Sequence, residues 1–192
     1  MTRQKTRIAM LASGSGTNVE NFINYFSGHP GIEIALVVTD RMNAPVRQKA
    51  RKAGIAEVYI PPDNWSDQAA VMPVFRKHQI HFVVLAGFLR LVPQFLVQHF
   101  DRAMVNIHPA LLPGFGGRGM YGMHVHRAVI ASGESRSGIS IHWVNEHYDQ
   151  GAMIFPAEIS LSGDETPETL ASRIHQLEYQ HYPRVVEQVA GS

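Results

Sequence analysis

Up to residue 108, the chain alternates between short continuous apolar runs and longer segments in which apolar residues recur every three or four positions. An apolar run of about four to eight residues is typical of a buried strand, and the wider spacing is typical of a helix with one buried face. Strands are therefore predicted at residues 7–12, 32–40, 56–60, 80–88 and 103–108. Helices are predicted near residues 18–27, 44–54 and 66–78 and after Pro93, the third bent or starting late because of Pro73.

The pattern changes towards the C-terminus. A helix is predicted after residue 126, followed by strands at 137–146 and 152–161. The gap between these strands is too short for a parallel crossover, which needs roughly a dozen residues, so they should form an antiparallel hairpin. A last helix should start near Thr166, with Pro167 in its first turn. We expect one α/β domain over residues 1–192, with a mixed, mostly parallel sheet, helices on both faces and a polar tail at residues 1–6.

Composition narrows the classes of protein. The 192 residues carry 17 Lys and Arg against 16 Asp and Glu, and this balance of charge gives no indication of a nucleic-acid partner. No apolar segment approaches the roughly 20 residues of a membrane-spanning helix. The absence of cysteine excludes disulfides, thiolate metal sites and a cysteine nucleophile. These features favour a cytoplasmic protein and leave its function and its oligomeric state open.

The segment SGSGTN, residues 13–18, connects the first predicted strand to the first predicted helix. Glycines let the backbone approach a ligand closely, and the N-terminus of a helix favours an anion, so the segment predicts a phosphate site. A dinucleotide site is an alternative, because Asp40 ends the second strand where a ribose-binding acid would lie, but Val19 replaces the third glycine of that motif. A tight turn with a good helix cap is the purely structural alternative.

Asn106 and His108 lie at the end of the fifth predicted strand, immediately before a glycine-rich segment. Alternate residues of a strand point to the same side, and open α/β sheets place their sites at this edge. An amide and an imidazole together could polarise a carbonyl group and move a proton. Asp149, in the turn of the predicted hairpin, could favour the protonated form of His108 and so raise its pKa. The structural alternative is that both segments are simply turns.

The other histidines do not predict a metal site. His124 and His126 are two residues apart at the start of a predicted helix, where such side chains diverge, and no carboxylates accompany them. His142 is expected to pack within its strand, with lining of the site as the alternative.

Several segments follow one another in a fixed order: SGSGTN, LAGFLRLV (85–92), NIHPALLP (106–113), Asp149 with Gly151, and LEYQHYP (177–183). This set resembles the folate-dependent phosphoribosylglycinamide formyltransferase family, over about residues 7–187. The resemblance implies a Rossmann-like formyltransferase fold. It also implies transfer of the formyl group of 10-formyltetrahydrofolate to the glycine amine of glycinamide ribonucleotide, in purine biosynthesis. Asn106 and His108 would stabilise a tetrahedral intermediate, and Asp149 would tune His108.

The resemblance also assigns two sets of binding residues and no metal. The ribonucleotide set is Ser13, Gly14, Gly16, Thr17, Asn18, Val19, His175, Gln176, Leu177 and Glu178. The folate set is Leu89, Arg90, Leu91, Val92, Asn106, Asn145, Glu146, His147, Tyr148 and Asp149. Both partners are small molecules, with no nucleic acid and no membrane.

The chain departs from the family pattern in two places. The segment 114–123 is longer and richer in glycine than in many members, and Asp67 and Gln68 stand where some members carry an arginine near the folate. Other folate-dependent formyl enzymes remain alternatives. The hydrolase usually has an N-terminal regulatory domain and a second histidine where this chain has Pro109, and the tRNA and sugar-nucleotide enzymes often have an extra C-terminal domain. A nucleotide-binding oxidoreductase and a non-catalytic binding module are more remote.

Overall fold

The computed structural model describes residues 4–191, which contain seven strands and six α-helices. The strands are β1 (Thr6–Leu11), β2 (Ile32–Thr39), β3 (Ala56–Tyr59), β4 (Phe82–Leu85), β5 (Met104–His108), β6 (Arg136–Trp143) and β7 (Met153–Ser160). The helices are α1 (Thr17–Tyr25), α2 (Pro45–Lys52), α3 (Gln68–Lys77), α4 (Gln94–His99), α5 (Met123–Ala131) and α6 (Pro167–Ala190), and a 3₁₀ helix at Pro62–Ser66 precedes α3.

The strands form one sheet in the order β3-β2-β1-β4-β5-β6-β7. Neighbouring strands are parallel from β3 to β5, whereas β6 pairs antiparallel with β5 and β7 pairs antiparallel with β6. The mixed sheet and the C-terminal hairpin are thus confirmed. Because β1, β4 and β5 are parallel neighbours, the segments that follow them meet at one edge of the sheet.

Two apolar layers cover the sheet, as expected for helices on both faces. On one face, α1, α2, α5 and α6 contribute buried residues that include Phe22, Val46, Val125 and Ile174. On the other face, α3 and α4 pack through residues such as Phe75 and Leu96. Tyr182 of α6 is fully buried and donates a hydrogen bond to the carbonyl oxygen of Leu85 at 2.8 Å, which fixes α6 against the middle of the sheet.

Helix α6 begins where the sequence predicts it to begin. Thr166 is its N-cap: the side-chain hydroxyl accepts a hydrogen bond from the Thr169 N–H, and the Thr169 hydroxyl accepts one from the Thr166 N–H. This reciprocal capping satisfies backbone donors that have no acceptor within the helix.

Some predicted boundaries are wrong. Strand β4 ends at Leu85 rather than at residue 88, because Gly87 adopts a left-handed backbone and its carbonyl accepts a hydrogen bond from the Ser13 N–H. Helix α3 does not start late at Pro73: it begins at Gln68, and Pro73 lies inside it as an exposed residue.

The hairpin connection and the N-terminal tail also differ from expectation. Strand β6 ends at Trp143, so residues 144–152 form a connection longer than the predicted turn. Gly151 is packed so closely that a Cβ atom there would lie 1.6 Å from the Trp143 carbonyl oxygen. Thr6 already belongs to β1, which shortens the predicted tail, and residues 1–3 of that tail lie outside the described residues.

Candidate active site

A cavity of about 610 Å³ lies at the edge of the sheet where β1, β4 and β5 end. Its walls are the β1–α1 turn, the segment after β4, the end of β5 with the glycine-rich loop, the β6–β7 connection and one side of α6. This volume is in the usual range for small-molecule sites. The sheet topology therefore brings most of the predicted site residues to one place.

The β1–α1 turn forms one end of the cavity. Gly16 is the N-cap of α1 and has a left-handed backbone with φ of 71°, and a Cβ atom there would lie 2.3 Å from Cγ2 of Val46. The first bond within the helix runs from the Glu20 N–H to the Gly16 carbonyl. The preceding helical N–H groups, which belong to Thr17, Asn18 and Val19, therefore have no acceptor inside the helix and can bind an anion.

Glu178 of α6 lies beside this turn. It is only 6% exposed, and its Oε2 atom accepts a hydrogen bond from Nδ2 of Asn18 at 2.9 Å. Burial raises the pKa of Glu178 to about 7, although the bond from Asn18 favours the charged form. Oδ1 of Asn18 is buried without a hydrogen-bond partner among the described residues. Asn18 and Glu178 can therefore accept hydrogen bonds from a polyhydroxylated ligand and, when Glu178 is protonated, donate to it.

Asn106 and His142 face each other across the β5–β6 pair. The register places them directly opposite, so their side chains lie on the same face of the sheet. Nδ1 of His142 contacts the Trp143 carbonyl at 2.8 Å and must carry the proton, because a carbonyl oxygen can only accept. The unprotonated Nε2 atom then accepts from Nδ2 of Asn106 at 3.2 Å. Asn106 also donates to Oδ1 of Asp149 at 3.3 Å, which ties the amide to the carboxylate.

His108 completes the cluster and is 3% exposed. Its Nδ1 atom lies 3.4 Å from Oδ2 of Asp149, and its Nε2 atom donates to the carbonyl oxygen of Phe115 at 2.8 Å. Nε2 therefore carries the proton of the neutral ring, and a second proton on Nδ1 would face Asp149 if the ring became an imidazolium. Asp149, which is 43 residues from Asn106 in sequence, is thus brought against Asn106 and His108, as predicted.

The charge of Asp149 acts to raise the pKa of His108, as predicted, but it does not set the net direction of the shift. Burial lowers the pKa of His108 below its ordinary value, and this effect outweighs the opposing effects of the Asp149 charge and the Phe115 carbonyl. Burial acts to raise the pKa of Asp149, but the contacts with His142, His108 and the Gly117 N–H outweigh burial, so the pKa of Asp149 lies below its ordinary value. The pair at neutral pH is therefore a carboxylate beside a neutral imidazole.

The glycine-rich loop is attached to this cluster. The Gly117 N–H donates to Oδ2 of Asp149 at 2.9 Å, and the Phe115 carbonyl is held by His108. Phe115 and Asp149 both have a left-handed backbone, with φ of 55°, a conformation that costs about 1 kcal/mol or more for a residue with a side chain. Residues 117–122 then line the cavity as the chain runs towards α5.

The segment after β4 forms the opposite wall. Leu89, Arg90, Leu91 and Val92 all line the cavity. The Leu89 N–H donates to Oγ of Ser13 at 3.1 Å, so the hydroxyl of Ser13 connects the two turns. A second, smaller pocket adjoins this wall and is lined by Arg90, Leu91, Val92, Glu146 and His147, together with Trp65 and Gln94.

A few predicted residues lie away from the main cavity. Val19 is fully buried in the core, so that only its backbone can face a ligand, and Gln176 and Leu177 do not line the cavity. Glu146 lines the smaller pocket and accepts a hydrogen bond from Gln94 at 2.6 Å. All other predicted binding residues, including His175 and Asn145, line the main cavity.

The sequence reasoning missed some of the residues that line the site. His126 is 2% exposed and lines the cavity, whereas His124, two residues earlier on α5, is exposed. His142, expected to be a packed strand residue, both lines the cavity and contacts Asn106. Pairing the strand SGISIHW against MVNIH could have revealed His142. No pattern indicated that backbone atoms of Phe115 and Gly117 contact His108 and Asp149.

Metal and membrane features are not found in the part of the chain that the structure describes. Residues 4–191 hold no group of three or more His, Asp or Glu side chains arranged for a metal ion. Within the same residues, no helix has the length and apolar character needed to cross a membrane.

Comparisons with known proteins agree with this site. Residues 6–186 match the model of the family described as formyl transferase. The chain is 38% identical to a chloroplastic phosphoribosylglycinamide formyltransferase of Arabidopsis thaliana over 95% of its own length, but it spans only 65% of that relative. It is 32% identical to phosphoribosylglycinamide formyltransferase of Bacillus subtilis, covering 96% of this chain and 95% of the relative.

A solved structure shares the same fold. The phosphoribosylglycinamide formyltransferase of Anaplasma phagocytophilum superposes with a TM-score of 0.89 at 29% identity, over 97% of this chain and 87% of the other. The sheet order, the cavity at the ends of its strands and these similarities agree with one another. The chain belongs to the formyl transferase family, and within it to the phosphoribosylglycinamide formyltransferases.

Proposed function

We propose that this protein transfers the formyl group of 10-formyltetrahydrofolate to the glycine amine of glycinamide ribonucleotide. The observation that carries the proposal is the cluster of Asn106, His108 and Asp149, which lies inside one cavity between two differently built ends. One end offers backbone N–H groups and Glu178, and the other offers the mostly apolar segment 89–92.

The two ends suit the two substrates. The phosphate of the ribonucleotide would accept hydrogen bonds from the first N–H groups of α1, with Ser13, Gly14 and Gly16 shaping the turn. Its ribose would contact Glu178 and Asn18, and His175 lies alongside. The pterin would lie against residues 89–92 and the 145–149 connection, whose apolar atoms and backbone groups can bind a flat heterocycle.

The chemistry needs one proton to move. The glycine amine forms a bond to the formyl carbon, which gives a tetrahedral centre with an oxyanion and a positively charged nitrogen. We propose that, once substrate has displaced the Phe115 carbonyl, neutral His108 carries its proton on Nδ1 facing Asp149, and that Nε2 takes the proton from the positively charged nitrogen to give an imidazolium that Asp149 stabilises. The proton then passes to N10 of the folate as the bond between N10 and the formyl carbon breaks, and the products are the formylated ribonucleotide and tetrahydrofolate.

Asn106 would donate to the oxyanion, as the sequence predicts. In the free protein its amide N–H groups are bonded to Asp149 and His142, so one of these bonds must be exchanged for the substrate oxygen. The Phe115 carbonyl would likewise leave Nε2 of His108 when substrate arrives. These groups thus hold the side chains in place until a substrate atom replaces them.

The proposal also covers the domain organisation, the kind of partner and the location of the protein. The chain acts as one domain on small molecules, without metal or nucleic acid, and in the cytoplasm. The chloroplastic location is a property of the plant relative.

The test is an assay of folate release with purified protein and 10-formyltetrahydrofolate, with and without glycinamide ribonucleotide. We expect release only when the ribonucleotide is present. Asn106→Ala and His108→Ala should each lower kcat by about 10²–10³-fold without loss of folding, because each removes a group that acts on the tetrahedral centre. His99→Ala, exposed on α4 outside the cavity, is the matched control and should keep full activity.

Two results would count against this proposal. Equal release without the ribonucleotide would indicate a hydrolase. Near-full activity of either variant would remove Asn106 or His108 from the chemistry.

A further inference from the structure

Two arginines line the cavity without binding any protein group. Within residues 4–191, the guanidinium groups of Arg41 and Arg118 make no hydrogen bond or ion pair, whereas Arg7, Arg47 and Arg173 pair with carboxylates and Arg90 donates to the Pro62 carbonyl. An unpaired arginine at a cavity wall is available for an anionic ligand, because its planar group presents several donors at once.

Arg41 stands beside the β1–α1 turn. It lies in the connection from β2 to α2, and β2 is the neighbour of β1 in the sheet. The connection packs directly on the turn, since the Val46 N–H donates to the Gly14 carbonyl at 3.3 Å and the side chain of Val46 fills the space next to Gly16. The connection that carries Arg41 is therefore held against the N-terminus of α1, and Arg41 lines the cavity together with the turn.

Arg118 approaches from the other side of the same turn. The loop that carries it leaves Asp149 at Gly117 and leads to α5, which lies on the same face of the sheet as α1. The segment 89–92, in contrast, leads to α4 on the opposite face. Strand order thus places the connections that carry Arg41 and Arg118 on opposite sides of the β1–α1 turn, and both connections lead to the face of the sheet that α1 covers.

We propose that Arg118 and Arg41 together bind the phosphate of the ribonucleotide, one on each side of the α1 N-terminus. A phosphate of nearly two negative charges needs more than the partial positive charge of one helix end, and two guanidinium groups supply the balance. Asn18 independently indicates that a ligand occupies this end, because its side chain is nine-tenths buried and leaves Oδ1 without a protein partner.

This inference rests on the proposed function. Its test must distinguish two anionic groups that the arginines could bind, the phosphate of the ribonucleotide and the glutamate tail of the folate. Initial rates are measured with glycinamide ribonucleotide, with the same nucleoside lacking phosphate, and with folates with and without the glutamate tail. Arg118→Gln should raise KM for the ribonucleotide about 10-fold, since a charged hydrogen bond is lost at an exposed position. KM for the phosphate-free nucleoside and for both folates should not change.

Two further variants complete the set. Arg41→Gln should act in the same direction, and Arg118→Lys should restore part of the affinity, because it keeps the charge but not the paired donors. Arg127→Gln, exposed on α5 outside the cavity, should change no constant. Since Arg41 and Arg118 are exposed, both Gln variants are expected to keep the melting temperature of the parent protein.

A second measurement does not need turnover. Inorganic phosphate should raise the melting temperature of the parent protein and should raise that of Arg118→Gln much less. If the parent protein transfers no formyl group but phosphate still stabilises it through Arg118, the proposed function fails and the anion site stands. The inference is overturned if Arg118→Gln changes KM for the tailed folate, affects both nucleoside substrates equally, or leaves the phosphate effect intact.

Discussion

Two connections reach helices on the same face of the sheet and line the same cavity, yet they are held by different kinds of contact. The β1–α1 turn, residues 12–16, is fixed by backbone bonds and by close packing: the N–H groups of Ala12 and Ser13 donate to the carbonyls of Val38 and Gly87, each at 3.0 Å. The β5–α5 loop, residues 109–122, is fixed largely by side chains, which include His108 and Asp149 of the proposed reaction centre.

Side chains hold the backbone of that loop both at its beginning and in its middle. The buried hydroxyl of Ser140 donates to the Ala110 carbonyl at 2.8 Å and accepts from the Leu112 N–H at 2.9 Å. From Phe115 to Gly117, the partners are His108 and Asp149. The turn should therefore be preformed whatever the state of the catalytic groups, whereas the loop should respond to their identity and charge.

The strongest test of this difference is a change at Asp149. Asp149→Ala removes the acceptor of the Gly117 N–H together with the charge that stabilises protonated His108, so kcat should fall by about 10²-fold or more. Hydrogen exchange should become faster at the Gly117 amide and stay unchanged at Ser13. Asp149→Asn is the matched control, because it keeps an acceptor oxygen and removes the charge: it should lose activity while Gly117 stays protected. Unchanged exchange at Gly117 in Asp149→Ala would show that the loop does not depend on the carboxylate.

The turn and the loop also differ in how far the sequence could predict them. Gly14 and Gly16 after a short apolar run indicate a strand-to-helix turn, because the conformation is set by a few adjacent residues. The loop offers no such local pattern: Phe115 adopts a left-handed backbone although its side chain disfavours it, and its partner His108 is fixed by β5. Its conformation depends on tertiary contacts, and the sequence alone carried no signal for them.

The same reasoning applies to the candidate site. The strand ends predicted that Asn106 and His108 lie together, and Asp149 was a candidate from its place in the hairpin turn, which the resemblance to the family then supported. The lowered pKa of His108 was not foreseen, because the degree of burial depends on the packed structure rather than on the neighbouring carboxylate alone. His142 was partly predictable, since β5 and β6 can be paired by their alternating patterns.

A smaller effect is expected when the packing of the turn is disturbed. Gly16→Ala forces a side chain into a left-handed backbone, and the new Cβ atom would lie 2.3 Å from Cγ2 of Val46, so the free energy of unfolding should fall by about 2–4 kcal/mol. Gly14→Ala is the control in the same turn, because no atom lies within 4 Å of the added Cβ, and its stability should stay close to that of the parent protein. Chemical denaturation measures both. Equal losses in the two variants would contradict the account of the turn as a closely packed element.

The smallest effect concerns Glu178, which connects α6 to the turn through Asn18. Burial raises its pKa to about 7 in the folded protein, against 4.5 without that environment, so folding favours the protonated form. That stabilisation is present in full below pH 4.5 and is lost as the pH rises towards 7, which should cost about 2 kcal/mol of unfolding free energy between pH 5 and pH 8.

Glu178→Gln keeps the acceptor for Asn18 and cannot ionise, so its unfolding free energy should lack this part of the pH dependence. His126 and His175, whose pKa values burial lowers, are present in both proteins, and the difference between the two denaturation series therefore isolates Glu178. Parallel series from pH 5 to pH 8 would show that the carboxyl is already ionised in the folded protein, and that the turn end of the cavity holds a negative charge beside the proposed phosphate site.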